Sequence, residues 1–136
     1  MRNIKYIAVH CTATQPTATV SSIQNYWKNE KGWSSPGYHF MIKAEGEVVN
    51  LLSIDKISNG VQGWNNQIIN VCYIGGVDSQ GKPKDTRTPA QKESLLKVLK
   101  QLKKQFPKAI IQGHRDFPKV TKACPSFNAK TEYKSL

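Results

Sequence analysis

Residues Thr88 to Pro107 constrain the fold more than any other stretch. Thr88-Pro89-Ala90-Gln91 is a capping box with proline at the first helical position. Leu95, Leu96, Leu99, Leu102 and Phe106 follow as one apolar stripe, and Pro107 ends the helix. A helix with a single apolar face has to bury it against another element. Short apolar runs of strand length stand on both sides, Ile68–Ile74 before it and Ala109–Gln112 after it. Upstream, Ile4–Cys11 reads as a buried strand. Ser21 or Ser22 caps a helix running to about Lys31, with Ile23, Tyr26 and Trp27 on one face. Tyr38–Lys43 and Val48–Leu52 form a hairpin turned at Glu45-Gly46. Residues 53–63 hold at most one short helical turn, and everything after Gly113 is irregular. Strands alternating with helices imply a mixed sheet covered by helices, an α/β class. No repeat, linker or low-complexity segment divides residues 1–136, which reads as a single domain.

The bulk properties narrow the function classes. Lys and Arg total 20 against 9 Asp and Glu, a net charge of +11. That favours anionic partners: nucleic acid, an anionic membrane, or a carboxylate- or phosphate-rich polymer such as bacterial cell wall. Nucleic acid is disfavoured, since no basic stripe is interleaved with aromatic residues. No apolar run approaches the roughly 18 residues of a membrane span, so stable membrane insertion is not expected. The opening MRNIKYIAVHCTA starts with charges, as a secretory leader does. Its apolar run is short and alternates with polar residues, which suits a strand. Synthesis in the cytoplasm without a signal peptide, with thiols reduced, is the expectation. Three cysteines, Cys11, Cys72 and Cys124, are too few and too odd in number for a disulfide framework.

The chemistry-bearing residues are few. His10 lies at the end of the first strand, and His114 just follows the strand Ala109–Gln112. Strand ends are where open α/β sheets carry functional groups. Alternation along the first strand places Cys11 opposite His10, facing the core. Cys72, inside an apolar strand, reads as a small buried hydrophobe too. Cys124 differs: it sits on a loop beside Pro125, two residues after Lys122. Two histidines at strand ends plus one loop cysteine form the ligand inventory of a zinc site with an open fourth position. Spacing alone leaves this open against a Cys124–His114 nucleophile pair. Lys122 would favour the thiolate of Cys124 or meet negative charge on a substrate oxygen. Tyr38 and His39 are adjacent on a strand, so only one of them faces a site, and the residues do not choose between them.

In this order, HCTAT (His10–Thr14), GW (Gly32-Trp33), GYHFMI (Gly37–Ile42), GWN (Gly63–Asn65), VCYIGG (Val71–Gly76), TPAQ (Thr88–Gln91), GHRD (Gly113–Asp116) and KACPSF (Lys122–Phe127) carry a resemblance. The chain resembles the zinc-dependent N-acetylmuramoyl-L-alanine amidases of the amidase type 2 and peptidoglycan recognition protein superfamily, nearest to small phage endolysins. The match runs from about Ile4 to Phe127. It implies a central mixed five- or six-stranded sheet flanked by helices, with Zn2+ in a surface groove. It puts the zinc ligands on His10, His114 and Cys124, and the catalytic residues on Tyr38 and Lys122. It implies hydrolysis of the amide between N-acetylmuramic acid and L-alanine in peptidoglycan, by a monomer acting on the cell wall after release. A peptidoglycan-binding module without catalysis is the alternative, which the cysteine disfavours. One departure stands out: many relatives carry a groove histidine where this chain reads Ser58-Asn59-Gly60-Val61.

Overall fold

The computed structural model describes residues 2–136. Continuous β-branched runs build its centre. Tyr6–Cys11 forms strand β1, and Val20–Asn29 forms helix α1. Phe40–Ile42 and Val48–Asn50 form the hairpin strands β2 and β3, and Ile68–Tyr73 forms β4. Pro89–Gln105 forms the long helix α2, Ile110–Gly113 forms β5, and Ala129–Glu132 forms the single-turn α3. The five strands lie in the order β3-β2-β4-β1-β5. β1 runs parallel to both β4 and β5, β4 runs parallel to β2, and only β3 is antiparallel to its neighbour. This is the mixed sheet that the alternating strand and helix pattern implies.

The two faces are dressed differently. On one, Ile7, Val9, Ile69, Val71 and Tyr73 pack against Leu95, Val98, Leu99 and Leu102 of α2. Cys11 belongs to this core, as strand alternation predicts. On the other face Ile23 and Trp27 of α1 cover Met41, Cys72 and Ile74. A second small cluster there joins Ala8, Ile68, Val61 and Phe117. His10 and Asn70 lie on this second face by the same alternation, and a groove opens between its two clusters.

Several local expectations are corrected. Helix α1 starts earlier than Ser21, with Thr19 as its cap and Ser22 as the reciprocal partner three residues on. Tyr26 faces solvent while Ile23 and Trp27 are buried. β2 begins only at Phe40, because the Asn70 N–H that would continue the ladder donates to the ring of His39 instead, at 3.0 Å. The short helical turn falls at Asn65–Gln67, not within 53–63. Beyond Gly113 the chain is not wholly irregular: a 3-10 turn spans His114–Asp116, and α3 follows. The last segment is pinned by Arg87, which donates to Asp85, Glu132 and the Tyr133 hydroxyl and stacks 3.4 Å from the centre of the Phe127 ring.

Candidate metal centre and groove

β1 and β5 are parallel neighbours, so their C-terminal ends lie side by side. That brings together two histidines distant in sequence. His10 occupies the penultimate position of β1, and His114 opens the turn after β5. The turn is fixed by Asp116, whose Oδ2 accepts the Gly113 N–H at 2.8 Å. The imidazole centres are 4.8 Å apart.

Cys124 arrives on the loop Lys122–Phe127, which is laced to the same strand ends. Arg115 N–H donates to Cys124 O at 2.9 Å, Tyr73 Oη–H to Pro125 O at 2.6 Å, and Ser126 Oγ–H to Gly76 O at 2.9 Å. The loop passes so close to β5 that a Cβ on Gly113 would sit 2.6 Å from Pro125 Cδ. The glycine of GHRD therefore makes room for the proline of KACPSF. As a result one nitrogen of each histidine and Cys124 Sγ all lie within 4.8 Å of one another, with His10 Nδ1 3.9 Å from the sulfur.

The donor set fits zinc. Bonds of 2.0–2.1 Å to nitrogen and 2.3 Å to sulfur in a tetrahedron require ligand atoms about 3.3–3.6 Å apart, so a small contraction closes the triad. Both imidazoles are neutral at pH 7, as ligands must be. Burial, then the neighbouring His114, lower His10 to about 3. Burial, then the Lys122 ammonium, lower His114 to about 4.

Cys124 behaves differently from the expectation built on Lys122. Its thiol is pushed up, first by the adjacent Cys11 sulfur and then by burial. A bound cation would favour its thiolate instead. Cys11 contributes its backbone N–H to Cys124 Sγ at 3.1 Å. Cys11 and Cys72 are buried free thiols.

The groove above this triad has a volume of about 1100 Å³. Tyr26, Trp27, Trp33 and Trp64 supply aromatic walls, and Lys31, Lys119 and Lys122 supply positive charge. The choice left open by the residues is settled in placement: Tyr38 lines the groove, its ring 4.9 Å from that of His10, while His39 is fully buried. The Tyr38 hydroxyl donates a long 3.4 Å bond to Cys11 O. Burial, then the surrounding thiols, raise its pKa, so it remains a phenol. Lys122 is exposed at the rim. Where a groove histidine was missed in the sequence, Asn59, Gly60 and Val61 form wall, and Ser58 turns inward to bond Asn70 and His39. A second, apolar pocket of about 290 Å³ lies under α2 and contains no histidine, cysteine or carboxylate.

A two-histidine, one-cysteine triad at the floor of a groove, on a mixed sheet backed by one long helix, describes a metallohydrolase class. The chain belongs to the N-acetylmuramoyl-L-alanine amidase family, whose profile matches residues 1–127. It is 39% identical over 125 residues to the endolysin of Klebsiella phage KP32, covering 91% of this chain and 82% of that protein. To the endolysin of Escherichia phage T7 it is 38% identical over 125 residues, with the same coverage of 91% and 82%. Among solved structures, the Ph2119 endolysin from Thermus scotoductus MAT2119 bacteriophage Ph2119 superposes with a TM-score of 0.79 at 26% identity, over 92% of this chain and 79% of that one. The fold and family expected from the motif order are borne out.

Proposed function

We propose that residues 1–136 act as one catalytic domain that hydrolyses the N-acetylmuramoyl-L-alanine amide of peptidoglycan, using zinc held by His10, His114 and Cys124. The observation that carries this reading is the convergence of those three ligand atoms within 4.8 Å at the groove floor. Zinc held there would supply Lewis acidity, bringing the pKa of water toward about 7 and polarising the scissile carbonyl. The protein's own groups do the rest. Neutral His10 and His114, with a Cys124 that gives up its proton, would present three donors to the metal. Lys122 meets the negative charge that grows on the carbonyl oxygen in the transition state. Tyr38, protonated and only loosely tied to Cys11 O, offers its hydroxyl to orient the attacking water or relay a proton to the leaving amine. The aromatic walls and basic rim suit a sugar carrying a peptide rich in carboxylates.

The setting follows from the same reading: a monomer made in the cytoplasm that reaches the wall after release, as an endolysin does. Among the described residues no helix is long and apolar enough to cross a membrane. The test is to measure zinc content and the appearance of free L-alanine amino groups from purified sacculi. Wild type should bind one zinc and release amines, and Cys124→Ser should lose both. Sacculus binding with no amine release would make the protein a recognition module instead.

A further inference from the structure

Beneath the groove, a polar string of residues that the reaction just described does not use runs behind the ligand His10. His10, His39, Ser58 and Asn70 are all fully buried. Its hydrogen bonds run in a consistent sense. The Asn70 backbone N–H donates to His39 Nδ1 at 3.0 Å, so that nitrogen carries a lone pair. The ring proton is then on Nε2, which donates to Lys56 O at 2.7 Å. Ser58 Oγ stands 3.2 Å from the same bare Nδ1. Two lone pairs at that distance repel, so the hydroxyl proton points at the ring. Ser58 Oγ is left to accept, and it takes Asn70 Nδ2–H at 2.7 Å. The amide is thereby oriented with Oδ1 toward His10, where it accepts Nε2–H at 2.7 Å. A histidine protonated on Nε2 keeps its lone pair on Nδ1, and Nδ1 is the atom that faces Cys124 Sγ at 3.9 Å.

We propose that Asn70 is a positioning residue, oriented by His39 and Ser58, that locks His10 into the one tautomer able to bind a metal through Nδ1. The proposal rests on the zinc reading above and deepens it. A flipped amide would present NH2 to His10, drive the proton onto Nδ1 and close that atom to a cation. Gly60 leaves room for this carboxamide: a Cβ there would lie 2.3 Å from its Cγ and Oδ1. Partners behind a metal-ligating histidine fix ring orientation and raise its basicity, and losing one typically costs 10–100-fold in metal affinity.

The direct test is long-range 1H–15N NMR of chelator-treated wild type at neutral pH. Both His10 and His39 should be Nε2–H tautomers. A His10 protonated on Nδ1, or an even mixture, overturns the proposal. Zinc titration of two variants tests the consequence. Asn70→Leu should bind zinc about 10–100-fold more weakly. Asn70→Asp should bind zinc more tightly than Asn70→Leu, because its carboxylate still accepts from His10. Equal affinity in wild type and Asn70→Leu, or an Asn70→Asp as weak as Asn70→Leu, also overturns it. If Asn70→Leu does not fold, the wild-type tautomer and Asn70→Asp still decide. Failure of sacculus hydrolysis would sink the proposed function without altering these readouts.

Discussion

Tyr38 and Lys122 share a groove with the proposed zinc ligands but lie outside the triad, so their loss should separate chemistry from metal binding. Tyr38→Phe and Lys122→Ala should each reduce amine release by about 10²–10⁴-fold with zinc content unchanged. Loss of zinc in either variant would assign that residue a structural role. The buried histidines predict a pH dependence of stability. Folded His39 titrates near 4, depressed mainly by burial, and His10 near 3, against 6.5 for a free histidine. Below 6.5 the unfolded chain therefore binds more protons than the folded one, and stability falls as pH falls. Thermal unfolding of the metal-free protein should show the drop already between pH 6.5 and 5, above the carboxylate range. A flat melting temperature across that window would contradict the burial of neutral imidazoles. Strand-end placement made His10 and His114 legible as candidates in the sequence. Asn70 was not legible, because one polar residue in the apolar run Ile68–Ile74 carries no mark of its partner until β4 is laid beside β1.

At the scale of elements, Gln91 does more than its place in the capping box suggests. Its Oε1 accepts the Thr88 N–H, while its Nε2 donates to Ile42 O and Ile74 O, tying the start of α2 to the ends of β2 and β4. The side chain is completely buried. Gln91→Ala removes a donor from both carbonyls; Ile42 O keeps the Ile74 N–H, while Ile74 O is left unpaired at a cost of about 1–3 kcal/mol. Thr88→Ala, at the half-buried cap, should cost about 1 kcal/mol. Chemical denaturation should therefore rank Gln91→Ala as the more destabilising of the two, and the reverse order would show that the cap dominates. The helix itself was plain in the sequence from its cap, stripe and terminating proline. Val98, which joins its buried face, escaped a reading based on leucines and Phe106. The single turn of α3 was hidden for another reason: the Arg87–Glu132 contact that secures it spans distant parts of the chain.

Across the whole molecule, charge and site are partly divorced. Lys92, Lys97, Lys100 and Lys104 are exposed on α2, which covers the face of the sheet opposite the groove, while Lys31, Lys119 and Lys122 border the groove itself. A net charge of +11 spread in this way should act mostly as a long-range attraction to an anionic wall, screened by salt. Lysis of intact sacculi should fall steeply as salt is raised, while turnover of a small soluble muropeptide should change little. Parallel salt curves for both substrates would place the effect in the groove. Composition alone left the anionic partner open among nucleic acid, membrane and wall; the order of the motifs along the chain, and the family it marks, narrowed it to wall.

The proposed ligands sit at positions 10, 114 and 124, so the triad joins the first strand to the last loop across 114 positions of sequence. A nascent chain emerging from the ribosome has His10 outside long before its two companions exist. A product lacking that loop would be short of one of the three proposed ligands. Hydrolytic competence would then wait on the synthesis of that loop.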